Sequence, residues 1–210
     1  LVIMALGGNA ITQVQSATGI ANFNSNDNTQ ALIGGRDLAT KIAPVSDKKN
    51  LLLLMGPIHT PLQEHVLNGV REIWGTPLPT NLRILGWSGS YWGGKVYNQG
   101  QLLSNQVLGV IISGNFDWAF TGVYHEINGW NGAGGSNPQT EIPSHIESLQ
   151  NQLGGQADVY FMVPGHPWRN EFPLIASAIQ SQFGRIPLIG QHGGAEIGHL
   201  STSSQVTSGV

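Results

Sequence analysis

The chain has no cysteine, so disulfides and thiolate metal sites are excluded, and the redox compartment is left open. It is also short of charge: Asp, Glu, Lys and Arg make up 10% of its 210 residues, against roughly 25% in ordinary soluble domains. The net charge is −3, and no cluster of Lys or Arg interrupts the sequence. Nucleic acid and anionic membrane surfaces are therefore poor partners, because both require a basic face. No apolar run approaches the roughly 20 residues that span a bilayer, so membrane insertion is not expected. The chain opens LVIMALGG, with neither an initiator methionine nor a signal peptide, and reads as a processed product or a piece of a longer protein.

What is present is amide and glycine. Asn, Gln, Ser, Thr and 29 glycines take the place of charge, a surface that suits a periplasmic or extracellular setting. With 40% hydrophobic residues the chain can still bury a core without staples.

The organising stretch is 24–74. Ala31, Leu32, Leu38, Ala39 and Ile42 recur at helical spacing, with Asp27 or Asn28 placed to cap the start. Leu51–Met55 is a wholly apolar run, as in a strand covered on both faces. Thr60, Pro61 and Gln63 form a capping box for a second helix carrying Leu62, Val66, Val70, Ile73 and Trp74, which Gly75 stops. Helix, buried strand and helix in sequence predict an α/β fold, with parallel sheet flanked by helices.

The same rhythm continues. Leu1–Leu6, Leu82–Trp87, Leu108–Ser113, Val159–Val163 and Ile186–Ile189 read as strands, and residues 12–28 as polar and weakly patterned. Helices are predicted through Leu102–Leu103, from an N-cap at Asp117, from the capping box Ser144/Glu147, over the stripe Phe172 to Phe183 ending at Gly184, and as a short turn after Gly194. Gly, Asn, Ser and Pro dominate 129–137, which reads as a linker. It would divide an α/β lobe over 29–128 from a second over 138–210, to which 1–28 is a candidate addition.

In an open parallel sheet, ligands bind beyond the carboxyl ends of the strands. The tips expected there carry Asn9, His59, Trp87, Ser88, Asn115, Asp117, His166, Trp168, Gln191 and His192. Amides, a carboxylate, imidazoles and indoles suit a neutral polyhydroxylated ligand, with planar partners for its hydroxyls and an aromatic for its apolar face. Each residue also has a plainer role: Asp117 as a helix cap, the tryptophans as core. No pair of histidines has helical metal-site spacing, and no cofactor is expected. An alternative reading is a serine hydrolase. Gly86-Trp87-Ser88-Gly89-Ser90 approximates a nucleophile elbow, and Ser88, Asp117 and His199 follow in the triad order of α/β-hydrolases. The elbow would want glycine where Ser90 stands.

The stretches DNTQALIGGRDLATKI, KKNLLLLMGP and VLGVIISGNFDWAFTGVYHEI together resemble the type I periplasmic-binding-protein family of sugar-binding proteins and sensors, mainly over 24–127. The resemblance implies two lobes closing on a small polar, sugar-like ligand without chemistry, and a membrane transporter or receptor as partner. It implies Asn26, Asp27, Asn115 and Asp117 as ligand contacts, with Trp87 or Trp92 for stacking; His166 and His192 stand at later strand tips. The chain departs from the family at Val66, where Arg is frequent, and at His192, where a late strand often ends in Asp. Segment 142–190 resembles one that the family places before the region corresponding to 1–28, as in a rearranged chain or one missing an N-terminal part. Residues 5–11 carry a weaker likeness to the first loop of carbamate kinases.

Overall fold

A computed structural model of the chain describes residues 8–20, 28–56, 63–88, 95–120, 138–162, 172–186, 188–190, 196–199 and 206–209. The fold is mixed α/β. It divides into two compact units, one of residues 1–116 with 193–210 and one of 117–192.

The first unit is built on a six-stranded sheet. Its strands are β1 (Ile11–Ile20), β2 (Lys49–Gly56), β3 (Leu82–Ser88), β6 (Gln106–Gly114), β9 (Glu196–His199) and β10 (Val206–Gly209), in the order β1-β6-β2-β3-β9-β10. The hairpin β4 (Lys95–Asn98) and β5 (Gln101–Ser104) forms a separate two-stranded sheet. The second unit has β7 (Tyr160–Met162) and β8 (Leu188–Gly190) with α3 (Pro138–Leu153) and α4 (Phe172–Phe183). Helices α1 (Asn28–Lys41) and α2 (Gln63–Trp74) belong to the first unit.

The expected parallel sheet is found only in part. β2 and β3 are parallel, as are β7 and β8, but β6 runs antiparallel to β2 and to β1, and β9 antiparallel to β3. The connections account for this. A parallel return needs a crossover, which α2 supplies between β2 and β3. Between β3 and β6 the described chain contains a hairpin and no helix. Asn98-Gln99-Gly100-Gln101 turns with φ of 48° at Gln99 and 84° at Gly100, the left-handed pair of a type I′ turn, so the helix expected through Leu102–Leu103 is replaced by β4 and β5.

Both helices of the first unit pack on one sheet face. Ala31, Leu38, Ala39 and Ile42 of α1 and Val66, Leu67 and Val70 of α2 share a core with Ala17, Leu52, Leu54, Leu82, Ile84, Val107 and Ile111. Each of the buried leucine, isoleucine and valine side chains contributes about 1.5–3 kcal/mol by leaving water. The helices touch backbone to backbone. A methyl on Gly35 would stand 2.0 Å from the Val66 carbonyl oxygen, and one on Gly69 2.1 Å from that of Leu32. Leu53, Leu108 and Ile112 are buried on the opposite face, with Val96 of the hairpin also buried.

Gly75, which the sequence marks as a stop, has φ 103° and donates to the Arg71 carbonyl at 2.8 Å. Gly184 closes α4 likewise onto Gln180 at 3.0 Å. α3 begins six residues before its expected start, because Pro138 presets the first turn and Pro143 is accommodated inside the helix. Its end is a Schellman motif: Gly155 N–H donates to the Gln150 carbonyl at 3.0 Å and Gly154 N–H to that of Asn151 at 3.4 Å. The second unit buries Ile146, Tyr160 and Ile179.

Three further expectations change. The polar stretch beginning at 12 is largely strand β1, the helix expected after Gly194 is strand β9, and residues 116–120 are irregular instead of starting a helix at Asp117. The strand expected at 1–6, the capping box at 60–61 and the linker at 129–137 lie outside the described residues. The expected second lobe is divided: 138–192 falls in the second unit, while β9 and β10 join the first unit's sheet. Among the described residues, no helix is long and apolar enough to cross a membrane.

Candidate functional site

Because β6 opposes β2, the carboxyl end of β6 meets the amino ends of β1, β2 and β3. Gly114 pairs with both Lys49 and Ile11, and Asn115 N–H donates to the Ala10 carbonyl at 2.8 Å. This end of the sheet is polar at two depths.

Beneath the surface, Asn50 and Ser113 form a cross-strand pair with 0% exposure. Ser113 Oγ donates to Asn50 Oδ1 at 2.7 Å, and the Val45 N–H donates to the same oxygen at 2.8 Å. Asn50 Nδ2 donates to the carbonyls of Val45 at 2.9 Å and Lys48 at 2.8 Å. Asn81 Nδ2 donates to Lys48 at 2.7 Å and to Val45 and Ser46 at 3.1 Å each. Two side-chain amides thus hold the loop 45–48. Burying Asn50 is affordable only because its polar atoms are satisfied.

Above that network Lys48 Nζ donates to Asn115 Oδ1 at 3.1 Å and lies 3.6 Å from Asp47 Oδ2. The Lys48 side chain is a quarter exposed, Asn115 is exposed, and the exposed Asn9 is one residue from the Ala10 carbonyl that Asn115 engages. An ammonium and carboxamides on a fixed backbone present donors and acceptors at spacings that hydroxyl or carboxylate oxygens can satisfy. Among the described residues, no group of three or more His, Asp or Glu could hold a metal ion.

Asn115 lies at this end, and Asp117 is exposed in the irregular segment after it. Trp87 pairs with Met55, six residues along β2 from the Lys49–Gly114 pair, so roughly 20 Å of sheet separates Trp87 from Asn115. The two do not share a site, because the antiparallel direction of β6 sends its carboxyl end away from that of β3. Asn26, Asp27, Trp92, His166 and His192 lie outside the described residues. The triad order is not matched by proximity either: His199 pairs with Ile84, four residues before Ser88, or roughly 13 Å along the strand.

Lys48, Asn50, Asn81 and Ser113 were not among the expected site residues. The signal available for Asn50 was its place immediately before Leu51–Leu54, where a buried strand has to satisfy any amide it carries. In the second unit, a depression at the end of α3 is lined by Gln150, Asn151, Gly154, Gly155 and Gln156. Gln150 Nε2 there donates to the Tyr160 hydroxyl at 3.1 Å. Comparison with protein-family models, curated proteins and solved structures finds no match for the chain.

Proposed function

We propose that the chain is a non-enzymatic binding or sensing protein for a small polar, sugar-like ligand, contacted in the first unit by Asn115, Lys48 and Asn9. The observation that carries this reading is the Lys48–Asn115 hydrogen bond at 3.1 Å, set over a buried amide network that fixes the loop bearing Lys48. Binding groups held by satisfied inner partners lose little freedom when a ligand arrives. Two lobes of the periplasmic-binding-protein kind, a membrane transporter or receptor as partner, and a periplasmic or extracellular setting belong to the same proposal. Trp87 is not included, since it stands roughly 20 Å away along the sheet.

The test is a thermal-shift screen of the chain against neutral sugars, polyols and amino acids, because a ligand that binds the folded state raises its melting temperature by mass action. Asn115→Ala should keep the unliganded melting temperature and lose the ligand-induced rise. An unchanged rise in that variant removes this end of the sheet from the site.

A further inference from the structure

β1 terminates the six-stranded sheet, and among the described residues no strand pairs with its outer side. Exposed sheet edges are ordinarily defended by charge, proline or shortness. β1 is ten residues long, and its sequence ITQVQSATGI contains neither charge nor proline.

Among the described residues, side chains bond only to the carboxyl end of this edge. The Thr18 carbonyl accepts from Lys41 Nζ at 2.8 Å, and the Ile20 N–H donates to Asp37 Oδ2 at 3.0 Å. Those bonds also establish which backbone groups face outward. In a strand, the N–H and C=O of one residue point the same way and successive residues alternate. The register against β6 is regular from Gln13 to Ile20, so Val14 and Ser16 present their backbone groups outward together with Thr18 and Ile20. The Val14 side chain is 58% exposed.

The sequence around Val14 is self-complementary. Thr12-Gln13-Val14-Gln15-Ser16 reads almost the same in both directions. Antiparallel pairing about a two-fold axis at Val14 sets Val14 on Val14, Gln13 on Gln15 and Thr12 on Ser16. These are an apolar, an amide and a hydroxyl pair, with no like charges opposed. The Thr12 hydroxyl donates to the Ser113 carbonyl and Gln15 Nε2 to the Ala43 carbonyl, which leaves their oxygens to accept across the pair. A two-fold interface demands this kind of patch, one that complements itself.

From these features we infer that β1 pairs with β1 of a second copy of the chain, joining the two sheets edge to edge. Each Val14 N–H donates to the Val14 carbonyl of the other copy. Pairing ends where Lys41 and Asp37 take over the edge, which limits it to the segment around Val14.

Sedimentation velocity of the full chain from micromolar to millimolar concentration should show a concentration-dependent dimer, and Val14→Lys should sediment as a monomer with an unchanged circular dichroism spectrum. The absence of cysteine supplies a second test that does not depend on the lysine variant folding. Partners in a hydrogen-bonded antiparallel pair have Cα atoms about 5.5 Å apart, within disulfide reach. Val14→Cys should therefore form a covalent dimer on mild oxidation. Ser16→Cys should not, because its symmetry mate stands four residues away along the strand, roughly 13 Å. A wild-type chain that is monomeric throughout, a Val14→Lys variant that still dimerises, or Ser16→Cys cross-linking as readily as Val14→Cys would each overturn the inference.

Discussion

The indole Nε1 of Trp74 donates to the main-chain carbonyl of Ala39 at 3.0 Å, so the last residue of α2 closes the last turn of α1. Carbonyls in the final turn of a helix have no partner within it, and here a neighbouring helix provides one. Trp74→Phe keeps most of the ring packing and removes the donor. It should lower stability by about 1 kcal/mol in urea unfolding, the usual contribution of one such bond.

The α1–α2 crossing predicts a penalty of a different origin. Alanine is the better helix former by about 1 kcal/mol, yet Gly69→Ala should destabilise by about 2–3 kcal/mol, because the new methyl would stand 2.1 Å from the Leu32 carbonyl oxygen and the backbones must separate. Gly155, where an added methyl meets nothing within 4 Å, is the control and should change stability by less than about 1 kcal/mol as Gly155→Ala. Thermal unfolding of the two variants gives the comparison.

In the buried network, removal from opposite sides should not be equivalent. Asn50→Ala strips its oxygen from the Val45 N–H and the Ser113 hydroxyl together, while the Val45 and Lys48 carbonyls keep Asn81, and should cost about 3 kcal/mol. Ser113→Ala leaves Asn50 Oδ1 with the Val45 N–H and should cost about 1 kcal/mol. Equal losses in denaturant unfolding would mean that Asn50 is not the centre of the network.

Acid should act through Asp37. Burial pushes its carboxyl up, but the hydrogen bonds from Lys41 and from the Ile20 N–H, together with the Lys41 charge, outweigh burial and hold it below the usual carboxylate range. A depressed folded-state pKa gives stability that is present above the unfolded value of about 3.9 and is lost as pH falls through the lower, folded value. Wild type should therefore be more stable than Asp37→Asn at pH 6, with the difference closing below about pH 4. Melting temperatures of both chains between pH 2 and pH 7 would check it.

How much of this was legible depended on what each residue pattern encodes. Ala31, Leu38 and Ala39 lie on the buried side of α1 as their spacing predicts, and Leu51–Met55 is a strand covered on both faces. Helix ends at Gly75 and Gly184 were equally readable, since a glycine with positive φ leaves a local mark. Strand direction leaves none. Leu108–Ser113 is apolar enough to be buried either way, and its antiparallel course follows from a hairpin upstream that contains a two-residue turn and no crossover. β1 escaped notice because Thr12, Gln13, Gln15 and Ser16 are polar, as an edge strand open to water permits. Of the candidate site, Asn9 and Asn115 were legible as strand-tip residues, whereas Lys48, Asn50 and Asn81 meet them only through that unforeseen direction.

The pairing of β3 with β9 also has a consequence for synthesis. Trp87 finds its ladder partner in Glu196, about a hundred residues later in the chain, with the whole of the second unit made in between. At roughly 5–20 residues per second, that side of β3 waits on the order of 5–20 s as the chain leaves the ribosome. During that interval the nascent first unit carries an open border on β3, beside the half-buried side chain of Leu85, until β9 is made and pairs with it.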